Sequence, residues 1–192
     1  MPLARTLGLR FLAVLALVLA DQWSKEAVFD RLEPTHERHE VFGNWFAFWT
    51  SCNPGAAFGQ FGDYPHLLVF GRGAAVLLLS WLLLRAPARP RLALFAMVLV
   101  LSGAIGNLVD NLWTGCVVPA HPYFGVRDFI DVYYKPLLGI DKHFPAFNVA
   151  DSCISVGACA WILAGFRHEE RQEPVAAEAP GESVEARETS VR

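Results

Sequence analysis

The sequence predicts a mainly α-helical integral membrane protein, with four transmembrane helices and a small β platform in the first loop on the outer side of the membrane. Of its 192 residues, 54% are hydrophobic and only 18% are charged, and the mean hydropathy is +0.32. A soluble domain averages about 45–50% apolar and about 25% charged residues. A chain of this length makes one domain, at about 150 residues per domain, and one small core could not absorb several long apolar runs. The excess apolar surface is therefore expected to face lipid.

Four apolar runs define the predicted spans. They cover residues 7–20, 67–84, 92–109 and 147–166. The last three approach the ~20 residues that cross a bilayer. With their flanking residues, the spans are predicted at about 7–29, 66–85, 91–110 and 147–166, within one transmembrane domain of residues 1–166.

The distribution of basic residues predicts the orientation of these spans. Seven arginines flank the span ends that would share one face, namely Arg5, Arg10, Arg85, Arg89, Arg91, Arg167 and Arg171. The two long loops, 30–64 and 111–145, carry only five basic residues over much longer stretches. By the positive-inside rule, both termini are predicted in the cytoplasm and both long loops outside it.

The first run also fits a second interpretation. Arg5 and Arg10, followed by an apolar stretch that ends Val18-Leu19-Ala20, resemble a secretory signal peptide with a small-residue cleavage site. A retained helix must instead continue through the charged residues after Ala20 to about residue 29. Cleavage would leave the orientation of the other three helices unchanged.

The tail, residues 167–192, differs from the rest of the chain in composition. It contains seven Glu, four Arg and two Pro, and no aromatic residue follows Phe166. This composition predicts a disordered acidic cytoplasmic tail. Its formal charge of −3, from 4 − 7, equals the −3 of the whole chain, so the remaining residues are neutral. Nothing in this balance indicates nucleic-acid binding.

The four cysteines are Cys52, Cys116, Cys153 and Cys159, and they form no C-x-x-C pair. The two in the fourth span are predicted to be small buried packing residues. The two in the outer loops could form a disulfide if that compartment is oxidising. No H-E-x-x-H or G-x-S-x-G motif occurs, and no His lies at metal-ligand spacing from a Cys. A metal site and serine hydrolase chemistry therefore have no support.

Polar residues interrupt the apolar pattern in five clusters. A charge at the centre of a span costs about 2.5–3.5 kcal/mol on insertion scales, so such residues indicate function by default. The clusters are D-Q-W-S-K at 21–25, N-P-G-A-A-F-G at 53–59, G-N-L-V-D at 106–110, D-F-I-D at 128–131 and F-P-A-F-N-V-A-D-S at 144–152. All five fall at the same outer membrane edge, although hydropathy does not require it.

Each cluster also has a purely structural interpretation. Asp21 and Lys25, at i and i+4, could be only a helix-end ion pair. Asn-Pro-Gly is a turn signal in any loop. Asn107 could be a polar contact between helices, and Asp151 could merely favour the positive end of a helix dipole.

Together the clusters predict a pair of carboxylates. Two carboxylates on different elements would be brought to one depth beside Asn side chains; among the candidates, Asp128 could also be an ordinary solvated loop residue and competes with Asp131 three positions later. Two close carboxylates share a proton, because each disfavours ionisation of the other. One then acts as a base while its partner remains an acid, which is what hydrolysis of an amide needs.

Four of these motifs occur in a specific order: N-P-G-A-A-F-G, G-N-L-V-D, D-F-I-D and F-N-V-A-D-S. In this order the chain resembles the family of bacterial lipoprotein signal peptidase, or signal peptidase II, over about residues 7–166. This family is a membrane aspartyl protease that needs no metal or organic cofactor. The resemblance implies an enzyme of lipoprotein processing in the bacterial cytoplasmic (inner) membrane, with its active site at the outer face. The implied substrate is a diacylglyceryl-modified prolipoprotein, cut just before the lipidated Cys.

The resemblance also assigns residues. It implies that Asp128 and Asp151 are the catalytic dyad, and that Asp21 and Lys25 belong to a supporting first-helix motif. Four further residues match positions that line the substrate site, namely Asn53, Asn107, Asp110 and Asn148.

The chain departs from the family pattern at four places. Asn111 follows Asp110 where Arg is usual, residues 118–125 read as an insertion, and Arg127 stands where an apolar residue is common. Arg72 interrupts the second span, and its side chain is expected to extend to the outer interface. These departures concern substrate range more than reaction type.

The expected mechanism has one ionised carboxyl that takes a proton from the attacking water, while its protonated partner supports the oxyanion. Two rival functions use the same residues: a proton-coupled transporter, and a catalytically impaired homologue that binds prolipoproteins.

The first outer loop is rich in aromatic residues, Trp45, Phe46, Phe48 and Trp49. They predict short strands at the headgroup region beside the site, or alternatively an aromatic loop that only anchors the protein.

Overall fold

A computed structural model describes residues 2–33, 37–55, 60–87 and 91–169. The helices are α1 (Pro2–Leu32), α2 (Pro65–Arg85), α3 (Arg91–Val109), the short α4 (Lys135–Leu138) and α5 (Val149–Glu169). Within the described ranges, four segments are long and apolar enough to cross a membrane: Thr6–Leu32, Pro65–Arg85, Arg91–Thr114 and Val149–Phe166. The predicted four-span fold class is therefore confirmed.

The end of the third span and the start of the fourth span, which carry candidate site residues, differ from the predicted bounds. The third span does not end at residue 110, because a π-helical turn, Asp110–Thr114, continues α3. Helix α5, which forms the fourth span, begins only at Val149. Phe147 exchanges backbone hydrogen bonds with Ile130 and therefore remains extended. α5 continues to Glu169, and the rest of the predicted tail lies outside the described residues.

Helix α1 passes without a break through Ala20 and Asp21, the point at which a signal peptide would be cut. In its N-terminal half, Val14 packs against Leu79 and Leu83 of α2 and Leu101 of α3, and these residues form the apolar core of the bundle. Many large side chains elsewhere on the helices are exposed, as expected where a helix faces lipid rather than water. The retained-helix interpretation therefore fits the structure.

Helix α3 lies at the centre of the bundle and contacts α1, α2 and α5. Two glycines allow this close approach. A Cβ at Gly103 would collide with the carbonyl oxygen of Ala150 in α5, and a Cβ at Gly106 would lie 2.6 Å from a carboxylate oxygen of Asp21. Both contacts bring the polar ends of α1, α3 and α5 together at one point.

The two long loops between the helices form a three-stranded antiparallel sheet with the order β1 (His39–Phe42), β2 (Phe46–Asn53) and β3 (Val126–Val132). The predicted β platform in the first loop is confirmed, and the second loop adds β3 to its free edge. In this register, Ser51 pairs with Asp128 and Asn53 pairs with Val126. The sheet therefore carries the D-F-I-D segment to the ends of the helices.

The cysteines follow the sequence expectations in part. Cys52 of β2 and Cys116, just after the π-helical turn, form a disulfide. Cys153 is buried, as predicted. Cys159 is exposed, so its prediction as a buried packing residue is wrong, because this position of α5 faces away from the bundle.

Candidate active site

Asp128 on β3 and Asp151 in the first turn of α5 are joined through Asn148. The Asn148 side-chain nitrogen Nδ2 donates to Asp128 Oδ1 at 2.7 Å, and the Asn148 backbone N–H donates to Asp151 Oδ2 at 3.3 Å. Asn148 is fully buried, and only 2% of Asp128 is exposed. One asparagine thus contacts both carboxylates.

Two further asparagines donate to the two carboxylate oxygens that Asn148 does not contact. Asn53 at the end of β2 donates from Nδ2 to Asp128 Oδ2 at 3.0 Å. Asn107 of α3 donates from Nδ2 to Asp151 Oδ1 at 2.8 Å, and its own Oδ1 accepts from Lys25 Nζ at 3.1 Å. The three asparagines therefore supply neutral donors to two acidic groups, and no cation contacts either carboxylate directly among the described residues.

Burial raises the pKa of Asp128 to about 7, because the ionised form loses its hydration. Repulsion by Asp151 is the next cause and acts in the same direction. Hydrogen bonds from Asn53 and Asn148 favour the charged form and oppose the increase in this pKa. A carboxyl with a pKa near 7 can hold a proton at neutral pH and still release it.

A second, charged layer lies behind the dyad. Lys25 Nζ lies 2.8 Å from Asp21 Oδ2 and 3.0 Å from Asp110 Oδ2, and all three side chains are buried. Asp21 Oδ1 also accepts the backbone N–H of Ala150 at 2.8 Å. The first-helix motif therefore fixes the start of α5, one residue before Asp151.

Arg127 completes this layer from β3. Its Nη2 lies 3.0 Å from Asp110 Oδ1, and its backbone N–H donates to Asp110 Oδ2 at 3.0 Å. Its Nη1 lies 2.8 Å from Glu26, which is largely exposed. The buried set of Asp21, Asp110, Lys25 and Arg127 has two charges of each sign and is neutral, as burial of ions requires.

The structure brings all eight residues singled out by sequence into one cluster: Asp21, Lys25, Asn53, Asn107, Asp110, Asp128, Asn148 and Asp151. Residues 56–59 of the N-P-G-A-A-F-G motif lie outside the described residues. Asp131 lies apart, because an odd spacing on a strand turns its side chain to the opposite face from Asp128. It pairs instead with Arg38 at 2.6 Å and with His143 at 2.7 Å.

Sequence reasoning missed the partners of the two unusual arginines. The sequence marks Arg127 only as a departure; on β3 it is adjacent to Asp128, and because neighbouring strand residues point to opposite faces, Arg127 meets Asp110 behind the dyad. Arg72 does not simply extend to the interface, because its guanidinium donates to the Gly55 carbonyl at 3.1 Å and to the Asn111 side chain. Among the described residues, no group of His, Cys, Asp and Glu is arranged to hold a metal ion.

The model of the family described as signal peptidase (SPase) II matches residues 13–167 of this chain. The chain belongs to this family. The match starts before Ala20, so it includes the part of α1 that precedes the alternative cleavage point. Signal peptidase II membership and the four apolar helices make the protein a multi-pass membrane peptidase of a bacterial family.

Similar proteins agree with the signal peptidase II assignment. The lipoprotein signal peptidase of Cellvibrio japonicus is 38% identical over 160 residues, which cover 79% of this chain and 82% of the relative. The lipoprotein signal peptidase of Alteromonas mediterranea is 32% identical and covers 97% of both chains. A bacterial membrane enzyme solved by the in meso method at 2.3 Å shares the fold, with a TM-score of 0.71 and 23% identity over 91% of this chain and 95% of the other.

Proposed function

We propose that this peptidase removes the signal peptide from diacylglyceryl-modified prolipoproteins, with Asp128 and Asp151 as its catalytic dyad. The observation that carries the dyad is the shared contact of both carboxylates with Asn148, at 2.7 Å and 3.3 Å. Neutral amides donate to both groups, and no cation of the described residues forms an ion pair with either carboxylate. Such a pair retains one proton between its members.

The reaction follows from that shared proton. The ionised carboxyl takes a proton from water, and the water oxygen bonds to the scissile carbonyl carbon. The protonated partner donates a hydrogen bond to the developing oxyanion and then a proton to the leaving nitrogen, so the C–N bond breaks. The products are the signal peptide with a new carboxylate and the lipoprotein with lipidated Cys at its amino terminus. The two roles belong to the pair, because a coupled pair titrates as a unit.

The other predicted residues divide into two roles. Asn53, Asn107 and Asn148 orient the carboxyls, and the half-buried Asn53 also presents its amide to the bound peptide. Asp110 supports the site from behind, since none of its side chain is exposed and it is paired with Lys25 and Arg127. Asp21 and Lys25 act in the same way, through the start of α5 and through Asn107.

We place the site at the outer face of the bacterial inner membrane, with both termini in the cytoplasm. The arginine distribution supports this orientation, and the site lies at the opposite end of α1 from Arg10, which donates to Leu83 and Ala86 at the end of α2. A substrate held by its acyl chains then reaches the dyad sideways from the lipid. Anchoring limits the search to a plane and so raises the effective concentration.

Cleavage of a synthetic lipopeptide by the purified protein in detergent tests this function. Mass spectrometry should show a cut directly before the diacylglyceryl-modified Cys, and the same peptide without the lipid should be cut much more slowly. Binding of the lipopeptide without any cleavage would favour the catalytically impaired alternative. Absence of both would contradict the proposal.

A further inference from the structure

Arg72 is the only charged residue of α2 before Arg85 at the opposite end of the helix. A charge in a span is costly unless it is compensated. Arg72 interacts electrostatically with the carboxyls of Asp151, Asp128 and Asp110, and it makes two hydrogen bonds. Its Nη2 donates to the carbonyl oxygen of Gly55 at 3.1 Å, and its Nη1 donates to Asn111 Oδ1. The guanidinium therefore links the turn after β2 to the end of α3.

The Gly55 contact continues towards the dyad. The Gly55 backbone N–H donates to Asn53 Oδ1 at 2.9 Å, which closes a turn around the Asn-Pro-Gly segment. With its oxygen held in this way, the Asn53 amide has its Nδ2 directed at Asp128 Oδ2, at 3.0 Å. Three successive hydrogen bonds thus lead from Arg72 through Gly55 and Asn53 to Asp128.

The other side of Arg72 is anchored by the segment that reads as an insertion. Asn111 donates from Nδ2 to the carbonyl oxygen of Phe124 at 2.8 Å, and the Phe124 N–H donates to the Asn111 carbonyl at 3.2 Å. Asn111 is buried. Its side-chain oxygen is consequently fixed as an acceptor for Arg72.

We infer that Arg72 is a positioning residue for catalysis, which holds the Asn53 amide on Asp128 through the Gly55 turn and is itself held by Asn111. This inference rests on the proposed dyad. Arg72 need not touch substrate in this role, so its loss should lower kcat and leave KM nearly unchanged. The Asn53 hydrogen bond lowers the pKa of Asp128, so a loosened turn should also move the limb of the pH profile that reports Asp128 to higher pH.

A double-mutant cycle between Arg72→Gln and Asn53→Ala is the test, with lipopeptide cleavage as the readout. Arg72→Gln should reduce kcat about 5- to 10-fold in the wild-type background, within the range expected for the loss of one ordinary hydrogen bond. It should reduce kcat less than about 2-fold when Asn53 is already Ala, because residues that act through one contact are not additive. Arg85→Gln, in the same helix and stacked on Trp81 at 4.7 Å, is the matched control and should cleave normally.

Two further variants, one at Arg72 and one at Asn111, keep the test decisive if Arg72→Gln does not fold. Arg72→Lys keeps the charge but cannot make both bonds in the same geometry, so its kcat should lie between those of wild type and Arg72→Gln. Asn111→Ala should reduce kcat about 2- to 4-fold, because one of the two anchors remains. Wild-type rates in both variants would overturn the inference.

Other outcomes are equally informative. If Arg72→Gln lowers kcat equally in the wild-type and Asn53→Ala backgrounds, Arg72 acts on the dyad directly. If Arg72→Gln raises KM and leaves kcat unchanged, Arg72 binds substrate. Either result overturns the inference while an inactive Asp128→Asn leaves the proposed function intact. An active Asp128→Asn would instead overturn the dyad itself.

Discussion

Asn148 and Asp151 cap each other at the start of α5. The Asp151 N–H donates to Asn148 Oδ1 at 2.8 Å, and the Asn148 N–H donates to Asp151 Oδ2 at 3.3 Å. Asn148 is the N-cap residue of α5 and Asp151 is its third residue, so these two reciprocal bonds form a capping box. It fixes the Asp151 carboxylate at the helix end and leaves Asn148 Nδ2 directed at Asp128.

The double role of Asn148 can be separated by two substitutions. Asn148→Ser keeps an oxygen that caps α5 but removes the amide donor to Asp128, whereas Asn148→Ala removes both. Both variants should lose at least about 10-fold in kcat, because the link between the carboxyls is gone. Only Asn148→Ala should lose about 1 kcal/mol of stability as well.

Thermal unfolding in detergent together with lipopeptide cleavage measures these two effects independently. If Asn148→Ser cleaves at the wild-type rate, the contact with Asp128 does not contribute to catalysis. If Asn148→Ala is as stable as Asn148→Ser, the cap does not stabilise α5.

Arg127 is expected to be a structural requirement rather than a specificity residue. Arg127→Met would leave buried Asp110 with Lys25 as its one cationic partner. Breaking a buried ion network by removing one partner typically costs about 3–5 kcal/mol. The matched control is Glu26→Gln, because Glu26 pairs with the same guanidinium but is 62% exposed on its side chain. That change should cost at most about 1 kcal/mol.

The melting temperatures of the two variants in the same detergent give the comparison. Equal losses for Arg127→Met and Glu26→Gln would contradict the view that Asp110 depends on Arg127. Restored stability in a double variant, Arg127→Met with Asp110→Asn, would support it, because the unpaired charge is then removed.

The pKa of Asp128 predicts how activity and stability depend on pH. Cleavage should decline as pH rises above about 7, because Asp128 then loses the proton that the dyad shares. The folded-state pKa lies above the usual value for Asp, so the folded chain retains a proton that the unfolded chain releases. The stability that this group contributes is therefore present below about pH 4 and is lost as pH rises through about 7.

Asp128→Asn cannot titrate at this position and provides the reference. The stability of wild type relative to this variant should decrease between pH 5 and pH 8, as measured by thermal unfolding. A difference that stays constant over this range would mean that the pKa of Asp128 is not raised in the folded protein.

The proposed orientation predicts the behaviour of fusion proteins. A reporter that is active only outside the cytoplasm should work when fused after Asp63 or Lys142, and it should fail when fused after Pro87 or Arg192. Asp63 and Lys142 lie in the two long loops, Pro87 lies in the short connection between α2 and α3, and Arg192 lies in the tail. Reporter activity after Pro87 would contradict the assignment of sides.

The spans and the polar clusters could be predicted from the sequence, because apolar length and a charge in an apolar helix are local signals. The third strand could not, since Val126–Val132 becomes a strand only by pairing with β2 from the other loop. The same is true of Arg127 and Arg72. Their partners, Asp110 and Gly55, are set by tertiary packing, and no periodicity in the sequence specifies which acidic or carbonyl group a lone arginine meets.

The start of α5 shows a finer limit of the same kind. Hydropathy extends the fourth apolar run back to Phe147, but that residue is bound to Ile130 of β3, and Asn148 then caps the helix. A pattern of apolar residues cannot distinguish a helix from an extended segment over two positions. The F-N-V-A-D-S motif contained the cap, and only the structure shows that the cap and the contact with Asp128 are made by the same side chain.

Cleavage of the lipopeptide by Asp128→Asn, Asp151→Asn and the double variant measures whether Asp128 and Asp151 act as one catalytic unit. Each single variant should lose about 10²-fold or more in kcat, and the double variant should be little worse than either. Asp131→Asn, paired with Arg38 and His143 away from the dyad, should keep cleaving. Near-normal cleavage by both Asp128→Asn and Asp151→Asn would mean that these two residues are not a catalytic dyad.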